Sequence, residues 1–320
     1  MQIIDVFNGD ADGICGLVQL RRSDPQTAQL ITGIKRDINL LKRVDATAGD
    51  HINVLDISFE KNATDVQRLL DLGAVIDYFD HHKTGELFSH PKLNTFIDLA
   101  SDTCTSLIID DQLKGKYRAW ALTAAFGDNL TSRANKMGLE SGFSPTELEQ
   151  LKQLGIVLNY NGYGADLADL FFDPADLFLK CVQFDSPFDF LQQDLDTFNT
   201  LAQGYQQDMS LAEEAICLHK TKDVAVIQLP DKKWARRVSG VFSNDLANRH
   251  PERAHAILTQ KTGGYLVSVR APLNNKIGAD KLVSQFPTGG GRAAAAGINL
   301  LPEASLAAFI DKFTSQFSKE

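Results

Sequence analysis

Cysteine is scarce in this chain, and the sequence lacks the features that would place it in or across a membrane. The cysteines are scattered along the 320 residues and form no CxxC pair, so we expect buried, reduced thiols at Cys15, Cys104, Cys181 and Cys217. No stretch approaches the roughly 18 consecutive apolar residues that a membrane helix needs. The opening MQIIDVFNGDADG does not have the pattern of a secretory signal. We therefore predict a cytoplasmic protein with no membrane partner.

Positive charge is also in deficit. Lys and Arg number 32 against 41 Asp and Glu, which gives a formal net charge of −9. A protein that coats long nucleic acid needs many cations to displace counterions from the phosphates, so this charge argues against such a partner. A small anionic substrate remains compatible, because a few cations or metal ions inside an acidic protein can hold it.

The patterns that are present predict an α/β protein with about two domains. Its 43% hydrophobic and 23% charged residues are ordinary for a soluble globular chain. In the first half, short apolar strands alternate with amphipathic helices, which is typical of a doubly wound parallel sheet. The strands are predicted at 3–7, 28–34, 51–57 and 74–79, and the helices at 14–22 and 62–73. From about residue 103 to 185 the pattern becomes mostly helical.

A polar helical segment at 190–215, with Gly204 as a predicted break, separates this half from the next. The chain then resumes with strands at 224–229, 255–260 and 264–270, helices near 239–250 and 278–286, a glycine-rich segment at 289–300 and a final helix. These patterns predict an N-terminal domain at 1–188, a helical connector at 189–216 and a smaller C-terminal α/β domain at 217–320.

Acidic and imidazole side chains follow the predicted strands of the first half. Each has an ordinary explanation when taken alone: NGDADG (8–13) fits a turn with an aspartate N-cap, and Asp56 simply ends a strand. In an open parallel sheet, however, ligand sites lie outside the carboxyl ends of the strands. The groups that follow strands should therefore meet at one edge: Asp10, Asp12, Asp56, Asp80 and His81.

Oxygen ligands with one or two imidazoles suit Mn²⁺ or Mg²⁺ better than a structural zinc. So many carboxylates at one edge would repel one another unless cations held them. Two ions about 3.5–4 Å apart would fit, and such a pair clamps both oxygens of an in-line phosphoryl displacement.

Taken together, these segments resemble the DHH phosphoesterase superfamily, which is named for the triplet that stands here at 80–82. NGDADG resembles the first motif of the family, and the strand that ends in Asp56 resembles the second. AAFGDNL (124–130), which contributes Asp128, resembles the fourth motif, although alone it could be only a helix end. DTCTS (102–106) is similar to the small-residue helix start that precedes that motif.

The resemblance extends into the second half. GYLVSVR (264–270) and GGGRAAAAG (289–297) are similar to the Ser-x-Arg strand and the GGGHxxAAG loop of the DHHA1 domain. The resemblance implies a DHH catalytic domain at 1–188, a DHHA1 substrate-binding domain at 217–320 and an active-site cleft between them. Members of the family are often dimers, so a homodimer is the expected assembly, although the sequence shows no distinct interface stripe.

Three positions depart from the family pattern. Val6 stands where many relatives have a histidine, and Asn8 stands where the exonuclease branch often has aspartate. Either Asn8 is an auxiliary ligand or the first metal ion is held more loosely. Arg292 replaces the histidine of the GGGH motif, and its guanidinium offers a fork for a phosphate or for a guanine edge.

The resemblance also implies roles for the acidic edge. Asp56 would bridge two Mn²⁺ ions, with Mg²⁺ as the alternative metal. Asp10 would bind the first ion, and the second would take Asp12, His81 and Asp128. A metal-activated hydroxide would attack the phosphorus. His82 would contact the phosphate or the leaving group, and Asp80 would orient the imidazoles or complete the cluster.

In the second domain, recognition is assigned to glycines and arginines. The Gly289, Gly290 and Gly291 run would let backbone amides approach an anion, followed at once by Arg292. The alternative is a simple glycine-rich turn. Arg270 would reach a terminal phosphate, or it is only a solvated strand-end cation.

Three substrate classes fit the implied catalytic half: short oligoribonucleotides, cyclic dinucleotides, and adenosine 3′,5′-bisphosphate or polyphosphate. A DHHA1 partner domain argues against the pyrophosphatases of the superfamily. The absence of an added sensory, membrane or oligonucleotide-binding module favours the nanoRNase-like enzymes. We therefore expect a Mn²⁺-dependent phosphodiesterase that cuts diribonucleotides such as pGpG to 5′-mononucleotides. The alternatives are a cyclic-dinucleotide phosphodiesterase, an adenosine bisphosphate phosphatase or a non-catalytic nucleotide sensor, for which Val6 is the main support.

Overall fold

A computed structural model describes residues 1–318 of the chain and divides it into two compact units. The first unit is Met1–Gly204, and the second begins at Tyr205. Both units are α/β, as the alternation of strands and helices predicts.

The first unit is built on an all-parallel sheet of five strands in the order β2-β1-β3-β4-β5. The strands are β1 (Ile3–Phe7), β2 (Gln29–Ile31), β3 (His51–Leu55), β4 (Val75–Asp80) and β5 (Leu93–Ile97). The four predicted strands are present, but β2 is shorter than predicted because it is an edge strand that pairs with β1 over three residues only. The pattern missed β5, because this other edge strand is half exposed and carries little apolar signal.

Helices accompany this sheet along the rest of the unit. They are α1 (Ala11–Ser23), α2 (Phe59–Asp71), α3 (Thr105–Gln112), α4 (Arg118–Gly127), α5 (Thr131–Glu140), α6 (Pro145–Asn161), α7 (Pro174–Cys181), α8 (Pro187–Gln193) and α9 (Leu195–Glu213). The start of α6 shows how local sequence sets a boundary. Ser144 accepts a hydrogen bond from the amide of Glu147, whose carboxylate accepts one from the amide of Ser144, so the first turn is capped from both sides.

The predicted break at Gly204 is wrong. Helix α9 continues through Gly204, and a Cβ at this position would lie 2.3 Å from the ring of Phe171. The glycine is needed for a close approach to an aromatic ring rather than for a turn. Because α9 crosses the boundary at 204, the two units share one helix.

The second unit contains a mixed sheet of six strands in the order β10-β11-β9-β8-β7-β6. The strands are β6 (Ile216–Lys220), β7 (Val224–Leu229), β8 (Ala254–Lys261), β9 (Gly264–Arg270), β10 (Gly289–Gly291) and β11 (Ala295–Pro302), with the helices α10 (Lys233–Arg249), α11 (Ala279–Val283) and α12 (Leu306–Phe317). Among the described strand pairs of this sheet, only β7 and β8 run parallel. The segment expected to be a glycine-rich loop is instead a hairpin, in which β10 pairs with β11.

Each face of this second sheet has its own hydrophobic core. Val238 and Phe242 of α10 pack with Ile257 on one face. On the other face, Phe309 and Phe313 of α12 pack with residues of β7, β8, β9 and β11. Burial on both faces explains why the strands of this unit read as apolar runs.

The structure bears on two expectations from composition, which concern the cysteines and membrane-spanning helices. Cys15, Cys104 and Cys181 are buried free thiols, but Cys217 is exposed because it lies on the edge strand β6. Within residues 1–318, none of the helices combines the length and the apolar character that crossing a bilayer would require.

Candidate metal centre

The carboxyl ends of three neighbouring parallel strands meet at one edge of the first sheet. Asp10 follows β1, Asp56 follows β3, and Asp80 is the last residue of β4, and these strands lie side by side. A cavity of about 230 Å³ opens at this edge, which we call the candidate metal centre. Its lining residues are Asn8, Asp10, Lys35, Ile38, Asp56, Ser58, Lys61, His81, His82 and Asp128.

Asp56 lies at the middle of the centre and has an unusual backbone. Its φ of 59° is in the left-handed region, which costs a non-glycine residue about 1 kcal/mol or more. Its Oδ1 lies 3.4 Å from Nε2 of His81 and 3.8 Å from Nδ1 of His82. These three residues each offer a ligand atom, and the three atoms lie within 4.8 Å of one another. The arrangement is that of a group that could hold one metal ion.

Asp12 lies next to the centre, in the protein interior. It is fully buried, and its two oxygens accept hydrogen bonds of 2.8 Å from the backbone amides of Thr105 and Ser106 at the start of α3. Its Oδ2 is also 3.8 Å from Nε2 of His81. The small residues at this helix start let the two amides reach the carboxylate. Asp12 therefore holds the start of α3 in place and also lies next to His81.

Asp10 fulfils the ordinary role predicted for a turn aspartate and also lines the cavity. As the N-cap of α1, its Oδ1 accepts from the amides of Asp12 at 3.0 Å and Gly13 at 3.2 Å. Its Oδ2 accepts a hydrogen bond of 2.5 Å from Nζ of Lys35. The tight turn requires glycine at position 13, because a Cβ there would lie 2.1 Å from the carbonyl oxygen of Asn8.

Asp80 positions His82. Its Oδ1 lies 2.7 Å from Nδ1 of His82 and accepts from the amides of His81 and His82, while Oδ2 accepts from the amide of Phe59 at the start of α2. Asp80 is fully buried, whereas His82 is half exposed. The hydrogen bond to Asp80 raises the pKa of His82 above its ordinary value. Of the two roles expected for Asp80, the geometry corresponds to orientation of the imidazole.

Asp128 closes the ring of carboxylates from the end of α4. Its oxygens lie 3.9 Å from Nε2 of His81 and 3.7 Å from Nζ of Lys35. Burial, followed by the charges of Asp12 and Asp10, raises the pKa of Asp128 to about 6. Burial together with the same two charges raises the pKa of Asp56 well above its ordinary value. The centre therefore carries more negative charge than its side chains can neutralise.

The donor set fits a divalent cation. Oδ1 of Asn8 is buried and has no hydrogen-bond partner within residues 1–318, which is costly for an amide oxygen unless something else binds it. Carboxylate oxygens, this amide oxygen and the imidazole of His81 are ligands that Mn²⁺ and Mg²⁺ accept. Val6, at the position of a family histidine, packs instead into the hydrophobic core under the sheet.

The sequence analysis missed four lining residues of the centre, of which Lys35 has the most contacts with its carboxylates; the others are Ile38, Ser58 and Lys61. Lys35 follows β2, whose neighbour in the sheet is β1, so the rule that located the aspartates also applies to it. Burial would lower the pKa of Lys35, but the charges of Asp10 and neighbouring groups outweigh burial and raise it above the ordinary lysine value. Lys35 is therefore a charged ammonium within the centre.

The arginines assigned to recognition are brought to one end of the second sheet. Arg270 ends β9, where its Nε donates to Oδ1 of Asn244 at 2.8 Å and its Nη1 to Oγ of Ser268 at 3.1 Å. Arg270 pairs in register with Ala295, and the backbone of Ala295 exchanges two hydrogen bonds with Arg292. Arg292 lies in the exposed turn between β10 and β11.

Packing explains two of the three glycines in β10. A Cβ at Gly289 would lie 1.7 Å from the carbonyl oxygen of Val283, and one at Gly291, where φ is 143°, would lie 2.5 Å from Cα of Ala296. A Cβ at Gly290 would meet no atom of the described chain within 4 Å. Close backbone packing therefore requires Gly289 and Gly291, whereas Gly290 has no such requirement.

Comparisons with known proteins bear on both units. Residues 221–319 match the family model of the DHHA1 domain. A search of curated protein sequences gave no significant match. Among solved structures, the exonuclease RecJ bound to manganese aligns with a TM-score of 0.64 at 14% identity, covering 98% of this chain and 89% of that one. RecJ in complex with Mn²⁺ from Thermus thermophilus aligns at 0.63 and 14%, covering 98% and 51% of the two chains.

A third similar structure is a pGpG-specific phosphodiesterase, PggH from Vibrio cholerae. It aligns with a TM-score of 0.59 at 13% identity, and the match covers 99% of this chain and 100% of that one. The chain therefore has a two-unit α/β fold that is similar to the fold of these structures over nearly its whole length. The part at 221–319 is a DHHA1 domain, and the resemblance to the DHH/DHHA1 superfamily is confirmed in domain and in fold.

Proposed function

We propose that the protein is a divalent-metal-dependent phosphodiesterase that hydrolyses short oligoribonucleotides, above all diribonucleotides such as pGpG, to 5′-mononucleotides. The observation that carries this proposal is that a carboxylate oxygen of Asp56 and ring nitrogens of His81 and His82 lie within 4.8 Å of one another, among further carboxylates at one sheet edge. Buried like charges at such an edge are characteristic of functional sites rather than of stable cores.

The side chains of the centre divide into ligands and proton-handling groups. Asp56, His81, Asp12 and Asp128 would hold one ion, and Asp10 with Asn8 would complete a second position. A bound Mn²⁺ or Mg²⁺ supplies activation of water at neutral pH and charge stabilisation at the phosphate. His82 keeps Nδ1 on Asp80, so Nε2 is the nitrogen that can donate a hydrogen bond to a phosphate or leaving oxygen.

Two features support a short substrate. The net charge of −9 opposes binding along a long strand, and the two arginines that we assign to recognition lie at one end of the second sheet. The pGpG-specific phosphodiesterase PggH has a fold that matches this chain over the full length of both proteins. Arg292 and Arg270 would bind the phosphate or the guanine edge of a dinucleotide.

The test is a hydrolysis assay with Mn²⁺ and separately with Mg²⁺. The substrates are labelled pGpG, labelled ApA, a longer RNA, cyclic di-GMP and adenosine 3′,5′-bisphosphate. We expect the two dinucleotides to be cut to mononucleotides and the longer RNA to be cut much more slowly. Failure to cut either dinucleotide would reject the proposal, and preferred turnover of cyclic di-GMP or of the bisphosphate would assign one of those activities instead.

A pair of histidine variants controls this assay. His81→Ala removes the imidazole at the centre and should abolish turnover. His51→Ala is the matched control, because His51 starts β3 at the opposite edge of the same sheet and pairs with Asp77. Retained activity in His81→Ala, or equal loss in both folded variants, would show that the acidic edge is not where hydrolysis occurs.

A further inference from the structure

The ammonium group of Lys35 occupies one side of the candidate metal centre. Its Nζ donates to Oδ2 of Asp10 at 2.5 Å and to Oδ1 of Asn159 at 2.9 Å, and it lies 3.7 Å from Oδ1 of Asp128. The side chain is three-quarters buried, and Nζ lies 5.8 Å from the centre of the Tyr163 ring. Lys35 is thus held at several points and is not a lysine extended into solvent.

This ammonium uses the oxygen that Asp10 would offer to an ion. Oδ1 of Asp10 already accepts from two amides at the start of α1, and Oδ2 accepts from Lys35. A metal ion bound at Oδ2 would therefore lie against a positive charge. At separations near 4 Å such repulsion is substantial in any protein environment, and it doubles for a divalent ion.

The two sides of the centre carry unequal charge. On the side of Asp10, the neighbouring ligand is Asn8, which is neutral, so Lys35 already balances the single carboxylate. On the other side, Asp12, Asp56 and Asp128 surround Nε2 of His81 at 3.4 to 3.9 Å. A divalent ion gains much more electrostatic stabilisation on the second side than on the first.

We propose that Lys35 is a built-in competitor for one of two metal positions. The side formed by Asp56, His81, Asp12 and Asp128 binds one divalent ion tightly. At the position of Asp10 and Asn8, the ammonium of Lys35 is bound to Oδ2 of Asp10, and a second ion has to displace it from that oxygen, so that the second ion binds weakly. This inference rests on the metal-binding part of the proposed function and not on the identity of the substrate.

The test is a count of bound Mn²⁺ in the full-length protein. Calorimetric titration gives the affinity of each site, and electron paramagnetic resonance distinguishes an isolated Mn²⁺ from a spin-coupled pair. For the unmodified protein we expect one tight ion and a second that binds at least about tenfold more weakly. The coupled-pair signal should appear only after the tight site is saturated.

Variants at the Asp10 and Asn8 position should reduce the difference in affinity between the two Mn²⁺ ions. Lys35→Met removes the competing charge and should tighten the second ion by about tenfold or more. Asn8→Asp adds a negative ligand and keeps the ammonium of Lys35, although it loses the 3.4 Å hydrogen bond from Nδ2 of Asn8 to the carbonyl oxygen of Lys35. It should tighten the same ion, so it serves as a second test if Lys35→Met fails to fold. Lys61→Met is the matched control, because Lys61 lines the same cavity and forms no ion pair with a carboxylate within residues 1–318.

The possible results test the inference about Lys35 and the proposed substrate separately. Two equally tight ions in the unmodified protein, or affinities that neither Lys35→Met nor Asn8→Asp changes, would overturn the inference even if pGpG is hydrolysed. If Lys61→Met tightens the second ion as much as Lys35→Met does, the effect of Lys35 comes only from the total positive charge of the cavity. That result would also overturn the inference. Unequal ions without hydrolysis of any dinucleotide would leave the inference standing and reject the proposed substrate. No Mn²⁺ binding at all would reject both.

Discussion

The two sheets of this protein bring the side chains of the proposed sites together in different ways. In the first sheet all five strands are parallel, so groups that follow β1, β3 and β4 arrive at the same edge without any further arrangement. In the second sheet most neighbours are antiparallel, so successive strand ends alternate between opposite edges. There, Arg270 and the turn that carries Arg292 lie at the same edge because β9, β11 and β10 are consecutive in the sheet.

The two units also differ in how charge is compensated. The first gathers buried carboxylates around Asp56 with one ammonium among them, and burial with mutual repulsion raises the pKa of Asp56 and Asp128. In the second unit, the buried Asp208 is bound by Arg237 at 2.7 Å. We infer that repulsion among the carboxylates makes the acidic edge of the first unit costly in stability, whereas each charge of the buried pair in the second unit is compensated by the other.

The largest effect is expected at Asp56, where one substitution should change turnover and thermal stability in opposite directions. Asp56→Asn should lower turnover of pGpG more than about 1,000-fold, because the chemistry of a bound metal contributes several kcal/mol. The same change should raise the melting temperature in EDTA, since it removes a buried charge that its neighbours repel, and asparagine tolerates the left-handed backbone. Turnover and thermal unfolding are measured on one preparation.

Asp208→Asn in the second unit is the matched control for Asp56→Asn. It removes the charge of the carboxylate that binds the buried guanidinium of Arg237 and should lower the free energy of unfolding by about 3–5 kcal/mol. A metal-free Asp56→Asn protein that is destabilised as much as Asp208→Asn would remove the contrast between the two units.

The next effect concerns recognition in the second unit. Arg292→Ala should raise KM for pGpG by about 10- to 100-fold with a smaller change in kcat, because one charge-assisted hydrogen bond to the ligand contributes about 1.5–3 kcal/mol. Arg270→Ala should do the same and also lower stability slightly, since it loses its bonds to Asn244 and Ser268. An unchanged KM in both variants would limit recognition to the first unit.

A smaller effect is the pH dependence of metal-induced stabilisation. The pKa of Asp128 is raised to about 6 in the folded protein, so the folded state binds more protons than the unfolded state between pH about 4 and 6. In EDTA, this group should therefore make the protein less stable as pH rises through that window, by up to about 3 kcal/mol.

With Mn²⁺ present, stability should instead increase as pH rises through this window, because protons and metal compete for the same oxygens. The increase in melting temperature on adding Mn²⁺ should grow from pH 5 to about 7. Asp128→Asn should flatten the profile recorded in EDTA. A metal-induced shift that is constant across this range would contradict the assignment of Asp128 to the centre.

The smallest effects are expected at two helical glycines, one in each unit. Gly204→Ala should destabilise the protein by about 1–3 kcal/mol, because the added Cβ meets the Phe171 ring. Gly240→Ala in α10 should stabilise it by about 0.5–1 kcal/mol, because a Cβ there meets no atom of residues 1–318 within 4 Å and alanine favours a helix. Denaturant unfolding measures both, and equal signs would contradict the packing described for α9 or α10.

Local pattern predicted the buried strands well and the edges poorly. β1, β7 and β9 have the predicted bounds, because most of their residues are buried and apolar. β5 and β6 were missed, because edge strands are half exposed and their sequences alternate little. The break predicted at Gly204 was wrong, because the contact that requires glycine there comes from Phe171, a residue distant in the sequence.

By itself, the sequence determined which side chains gather at the edge of the first sheet. In a parallel α/β unit, strand ends share an edge whatever the details of packing, so Asp10, Asp56 and His81 could be assigned together. Only the tertiary structure decided that Lys35 reaches Asp10 and Asp128, and that Asp12 is anchored to the amides of α3. Those contacts depend on how loops and helix ends fold back on one another, which no periodicity along the chain encodes.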